Sequence, residues 1–171
     1  KKRSGKMLSK IKKYSHGFII AIYFVAYLIL FGYLEQRPVR AYHVVHTVFD
    51  DMIPFCEIFI IPYLLWFPYV VITVVYFLFR NKNKKEYFQL IFNLMMGMTV
   101  FLVVSYIYPN VQYLRPAVFP RSNIFTRLVA ELYRTDTPTN ILPSIHVFNS
   151  LAVYFAIHHC QALKDRKWLQ R

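Results

Sequence analysis

The chain has 171 residues, of which 57% are hydrophobic and 19% aromatic, and its formal net charge is +13. A soluble domain of this size is nearer half apolar and carries fewer aromatic residues. Composition therefore excludes an ordinary water-soluble core. Nucleic-acid binding is excluded with it, because no soluble basic fold is left to do it.

Basic residues precede the first apolar run, Phe18 to Leu34. The pairing resembles a signal peptide, but the run is longer than a cleavable signal needs and no small-x-small site follows it. An uncleaved first helix is expected, with residues 1–16 as a basic cytoplasmic segment and 17–171 as one transmembrane domain. Three further uncharged runs follow: Ile58 to Phe79, Tyr87 to Tyr108 and Ile141 to Leu163. About 20 apolar residues cross a bilayer core. The expectation is an all-α, polytopic helix bundle in the cell membrane, with helices over about 17–35, 53–79, 87–108 and 141–163.

Charge placement orients it. Fifteen of the 21 basic residues precede the first run, separate the second from the third, or follow the fourth. By the positive-inside rule these face the cytoplasm, and the N-terminus with them. The excess charge also suits contact with anionic membrane lipids. Six of the eight acids and the remaining six arginines then lie outside.

The segment Gln36 to Asp51 holds His43, His46 and Asp50 at i, i+3 and i+7. One helical face could offer all three to a metal, but an interfacial amphipathic helix is the plainer expectation. Asp50 or Asp51 could cap the next helix, with Pro54 in its first turn. Pro62 and Pro68 should bend that helix. Gln89, Asn93 and Ser105 read as interhelical glue and Gly97 as a close-packing point. Cys56 and Cys160 fall near opposite membrane faces and read as small buried residues rather than a disulfide.

The outer loop Asn110 to Asn140 carries four arginines, and Ile124 to Tyr133 has the spacing of a short surface helix. At one end stands Arg115-Pro116, a stiffly placed guanidinium fork. At the other is Asp136-Thr-Pro-Thr-Asn-Ile-Leu-Pro-Ser-Ile-His146, running into the fourth apolar segment. Pro143 fits a first helical turn, with Asn140 or Thr139 as cap. Free N–H groups at Ser144, Ile145 and His146 would then seat a phosphate.

These residues also carry a resemblance. Arg115-Pro116, and Pro143-Ser144-x-His146 at the start of a membrane helix, resemble the type 2 phosphatidic acid phosphatase superfamily. The wording of 136–146 resembles the branch that includes inositol phosphorylceramide synthases. The resemblance implies a six-helix fold, a lipid-phosphate or phospholipid substrate, and a covalent phosphohistidine formed with no metal or other cofactor. Carried over by position, it implies that His146 is the general acid and that Arg115, Ser144 and the backbone of Ile145 bind phosphate. Arg134, just before the motif, is the best further phosphate ligand. The chain departs from the family at Tyr108, where a lysine is expected, and at Ile145, where a glycine is expected. The family's third motif, with the nucleophilic histidine, is not in the sequence. The expectation is a piece of a longer protein whose nucleophile lies beyond Arg171. The alternative is a non-catalytic membrane protein of the same fold.

Overall fold

A computed structural model of the chain describes residues 17–164. The basic segment 1–16 and the positions after Lys164 lie outside the described residues. The molecule is mostly helical. Gly17–Gln36 forms α1, Val48–Met52 α2, Ile60–Phe79 α3, Lys84–Ile107 α4, Ile124–Thr135 α5 and Ile145–His159 α6. Two-residue strands β1, His43–Val44, and β2, Asn110–Val111, pair in parallel.

Among the described residues three helices are long and apolar enough to cross a membrane: α1, α3 with the 3-10 turn that precedes it, and α4. In α1 and α3 the apolar residues run all round rather than along one stripe, as in helices that meet lipid. The expected fourth span is shorter than 141–163. α6 has 15 residues, or about 22 Å at 1.5 Å each, against a hydrocarbon core of about 30 Å. Ser144 sets its start as N-cap, and Cys160 ends it with ψ at 115°.

Other boundaries shift for local reasons. α3 begins at Ile60 rather than near 53, after extended backbone at Ile53 and Cys56. Pro62 then falls in the first turn, where its missing N–H is harmless, and only Pro68 is interior. α4 begins at Lys84 because Asn83 caps it, accepting from the Lys85 N–H at 3.1 Å and donating to Glu86 at 2.9 Å. The surface helix expected at 124–133 is α5, which runs two residues further. The segment 36–51 is not one interfacial helix. Only α2 is helical there, held by a Thr47–Asp50 capping box.

α4 is the central element. Its Leu90, Ile91 and Leu94 form the main core with Phe77 of α3 and with Val153 and Cys160 at the far end of α6. A second cluster joins Tyr27 of α1 to Met98 and Phe101 of α4, with Ile145 packed on it. At Gly97 α4 and α6 approach closely: a Cβ there would fall on the ring of Phe148 at less than the 3.0 Å that carbon atoms keep. Its reading as a close-packing point holds. Cys160 is fully buried and Cys56 half-buried, both as free thiols. Gln89 and Asn93, in contrast, are exposed and among the described residues bond no other helix.

Candidate functional site

The loops at one end of the bundle are tied together by polar side chains from the helix ends. Glu35, in the last turn of α1, accepts from Thr137, from Thr139 at 3.4 Å and from the Asn140 amide at 3.0 Å. Arg37 donates from one nitrogen to the carbonyls of Ser105 and Tyr106, both at 2.9 Å. It thereby caps α4, whose last carbonyls lack helical partners. Asn110 is fully buried. It donates to the Tyr108 and Leu142 carbonyls and accepts from the Leu142 N–H, each at 3.0 Å. Together these bonds fix the approach to α6. Asn140 takes the left-handed conformation there, with φ 53°, which asparagine tolerates better than most residues.

Ser144, and not Asn140 or Thr139, caps α6. Its hydroxyl accepts from the Val147 N–H at 3.4 Å, and its carbonyl from the Phe148 N–H at 3.1 Å. The hydroxyl expected to bind phosphate is thus engaged in the cap. Pro143 lies just outside the helix. The N–H groups of Ile145 and His146, at the first two helical positions, have no partner within the helix by geometry. The side chain of Ile145 packs into the Tyr27–Met98–Phe101 cluster, a role that a glycine could not fill.

His146 is clamped by two rings of α3. Its imidazole stacks on Tyr63 at 5.0 Å between centroids and lies against Trp66 at 4.3 Å. Tyr63 and Trp66 are three apart and so share one helix face. The indole Nε1 of Trp66 is buried and has no hydrogen-bond partner among the described residues. Burial pushes the imidazole below its ordinary pKa, and the negative charge of Asp136 pulls it partly back. Asp136 is itself raised, first by burial and then by the negative charge of Glu35. The positive charges of Arg115 and His146 oppose this. Arg115 and His146, 31 positions apart in the sequence, therefore act on one carboxylate.

Arg115 is partly committed elsewhere. One nitrogen donates to the carbonyls of Tyr133 and Asp136 at 3.1 and 2.9 Å, and the guanidinium lies 4.3 Å over the Tyr133 ring. The other terminal nitrogen stands 3.9 Å from the Asp136 carboxylate and is the one left for an anion. Arg134 pairs with Glu131 at 2.8 Å on the exposed side of α5. It is not part of this cluster. Arg121 donates to the buried Glu57 at 3.3 Å, and Asn123 does so at 2.8 Å. That arginine therefore anchors the loop 110–140 to the turn before α3.

The possible metal set does not assemble. His43 stacks on Tyr108 at 4.0 Å, His46 bonds Asp51 at 2.9 Å, and Asp50 is held by Thr47. Among the described residues no group of three or more histidine, cysteine or acidic side chains could hold a metal ion. His158 and His159 end α6, a helix length away from His146.

Sequence reasoning placed His146, Arg115 and Ser144 at this end of the bundle. It missed Tyr63, Trp66 and Glu35. Tyr63 and Trp66 sit in a run apolar on every side, where no contrast marks the inward face. Glu35 could have been suspected as an acid at the end of an apolar helix. No protein-family model, curated protein or solved structure matches this chain.

Proposed function

We propose that this is a multi-pass cell-membrane enzyme of phosphoester chemistry, a lipid-phosphate phosphatase or phosphoalcohol transferase acting through a phosphohistidine. The observation that carries the reading is the placement of His146. It stands on the first turn of α6, beside two N–H groups without helical partners, in the field of Asp136, on which Arg115 also acts. A helix N-terminus and a guanidinium attract a phosphoryl group, and an imidazole there can protonate the departing alcohol. Asp136 favours the protonated imidazole that a general acid must be. The half-buried setting strengthens each charge contact with the transferring group. The reading requires an attacking histidine on the opposite side of phosphorus, brought from outside the described residues. Water as acceptor makes a phosphatase, and a lipid or sugar alcohol makes a transferase.

The expected orientation puts His146 at the outer surface, where a lipid head group meets it with its tails still in the bilayer. The test uses the complete protein in membranes supplied with a phosphatidic acid. Turnover should need no added metal, and His146→Ala should lower it by about 10²- to 10⁴-fold. Unchanged turnover in that variant, or loss of activity to a chelator, refutes the assignment. A cysteine in place of Thr135 should react with an impermeant thiol reagent from outside intact cells; labelling only after lysis inverts the topology.

One observation favours the non-catalytic reading of the same fold. The Arg115 fork already serves two backbone carbonyls and a carboxylate, as a structural arginine would.

A further inference from the structure

The opposite end of the bundle carries a second polar site. Lys85, Gln89 and Asn93 follow one another at i, i+4 and i+8 along α4 and form one stripe, about 12 Å long at 1.5 Å per residue. All three are exposed and line a groove of about 570 Å³ between α4 and the end of α6. Phe155 and His159 of α6 form its other wall, and Phe77 of α3 its apolar floor.

Two exposed carboxamides on a helix long and apolar enough to cross a membrane are costly against bare hydrocarbon, because nothing there accepts their N–H groups. No hydrogen bond holds either amide among the described residues. Glu86, the one acid in the groove's lining among the described residues, is already engaged. It accepts from Asn81 at 2.7 Å, from Asn83 at 2.9 Å and from the Gln161 N–H at 3.3 Å. His159 has its Nδ1 against the Phe155 carbonyl at 2.8 Å, which leaves Nε2 for another partner. Arg80, Lys82 and Lys84 crowd the same end. The groove is therefore cationic at its mouth and carries amide donors and an aromatic wall further in.

We propose that this groove holds one anionic diacyl phospholipid, independently of what the His146 site does. An anionic lipid presents the same order along its length: a phosphate and acidic head, then ester carbonyls, then acyl chains. The phosphate meets Lys85, the ester carbonyls accept from Gln89 and Asn93, and an acyl chain lies on Phe155. The match of charge to depth selects this occupant over a free anion, which has nothing to offer Asn93. It also selects it over a neutral lipid, which leaves the basic mouth unmatched.

The test is lipid retention by the whole chain, purified in mild detergent and weighed intact by native mass spectrometry. Dioleoyl phosphatidylglycerol and dioleoyl phosphatidylcholine are the probes, with inorganic phosphate as competitor. One phosphatidylglycerol should stay bound where phosphatidylcholine washes off, and millimolar phosphate should not displace it. Lys85→Gln removes one cation near the head group and should weaken retention about fivefold. Asn93→Leu should weaken it as well, with unchanged elution volume as the check on folding. Equal retention of the two lipids, full displacement by phosphate, or no change in either variant overturns the proposal. So does a lipid-free dimer that Asn93→Leu converts to monomer, since the groove would then seat a second copy.

Discussion

Gly97→Ala tests the packing that positions the site. The added methyl would lie within 3.0 Å of three ring atoms of Phe148: Cδ1, Cε1 and Cγ. These belong to the body of a ring and not to a flexible tip, so the ring or the helix must move. Overpacking of this kind costs about 1–3 kcal/mol. The usual gain in helix propensity on replacing glycine largely cancels, because a helix in lipid keeps its backbone bonds whether or not it is packed. The net change should therefore be a loss of about 1–3 kcal/mol, measured by reversible unfolding in mixed detergent micelles. Two comparisons isolate the cause. A Cβ at Gly32 would meet nothing within 4 Å, so Gly32→Ala should stay within about 0.5 kcal/mol of the parent. In a Phe148→Leu background the penalty at Gly97 should fall by at least about half. Phe148 is two residues from His146, so the same substitution should also reduce turnover. An unaltered Gly97→Ala protein, or an equal penalty in both backgrounds, would show that α4 and α6 do not meet in this way.

Two further outcomes are expected. Burial lowers the pKa of His146 from an ordinary value of 6.5, so the unfolded state binds more protons in that range. Its contribution to stability is then present above about pH 6.5 and lost as pH falls through the lower folded value. Trp66→Ala should move the imidazole titration upward, and Asp136→Asn should move it downward, both read by NMR of the ring protons; no movement in either would remove the clamp. Asn110→Ala should cost about 1–3 kcal/mol for each backbone group it leaves buried and unpaired, and thermal unfolding within 0.5 kcal/mol of the parent would refute that role.

Some of the site was legible because it is local. Pro143-Ser144-x-His146 announces a helix start, and Arg115-Pro116 announces a fixed cation. The start itself was read one cap too early. Asn140 and Thr139 are good capping residues, but both are drawn away by Glu35, and Ser144 takes their place. Arg134 looked like a phosphate ligand from its position in the sequence, yet an acid one turn back claims it. Gln89 and Asn93 looked like glue between helices because polar groups in apolar helices usually are. Only the position of α6 shows that they face a groove.

The sequence by itself determined that the chain is helical and apolar enough to enter a membrane, and where its close-packing glycine lies. Those properties follow from composition and from run length, which need no partner. Which residues surround the imidazole was decided by the tertiary structure alone. α3 is apolar on every side, so nothing in its sequence distinguishes the face that carries Tyr63 and Trp66 from the faces that meet lipid. That choice is made only when α6 packs across α4 and brings His146 down between the two rings.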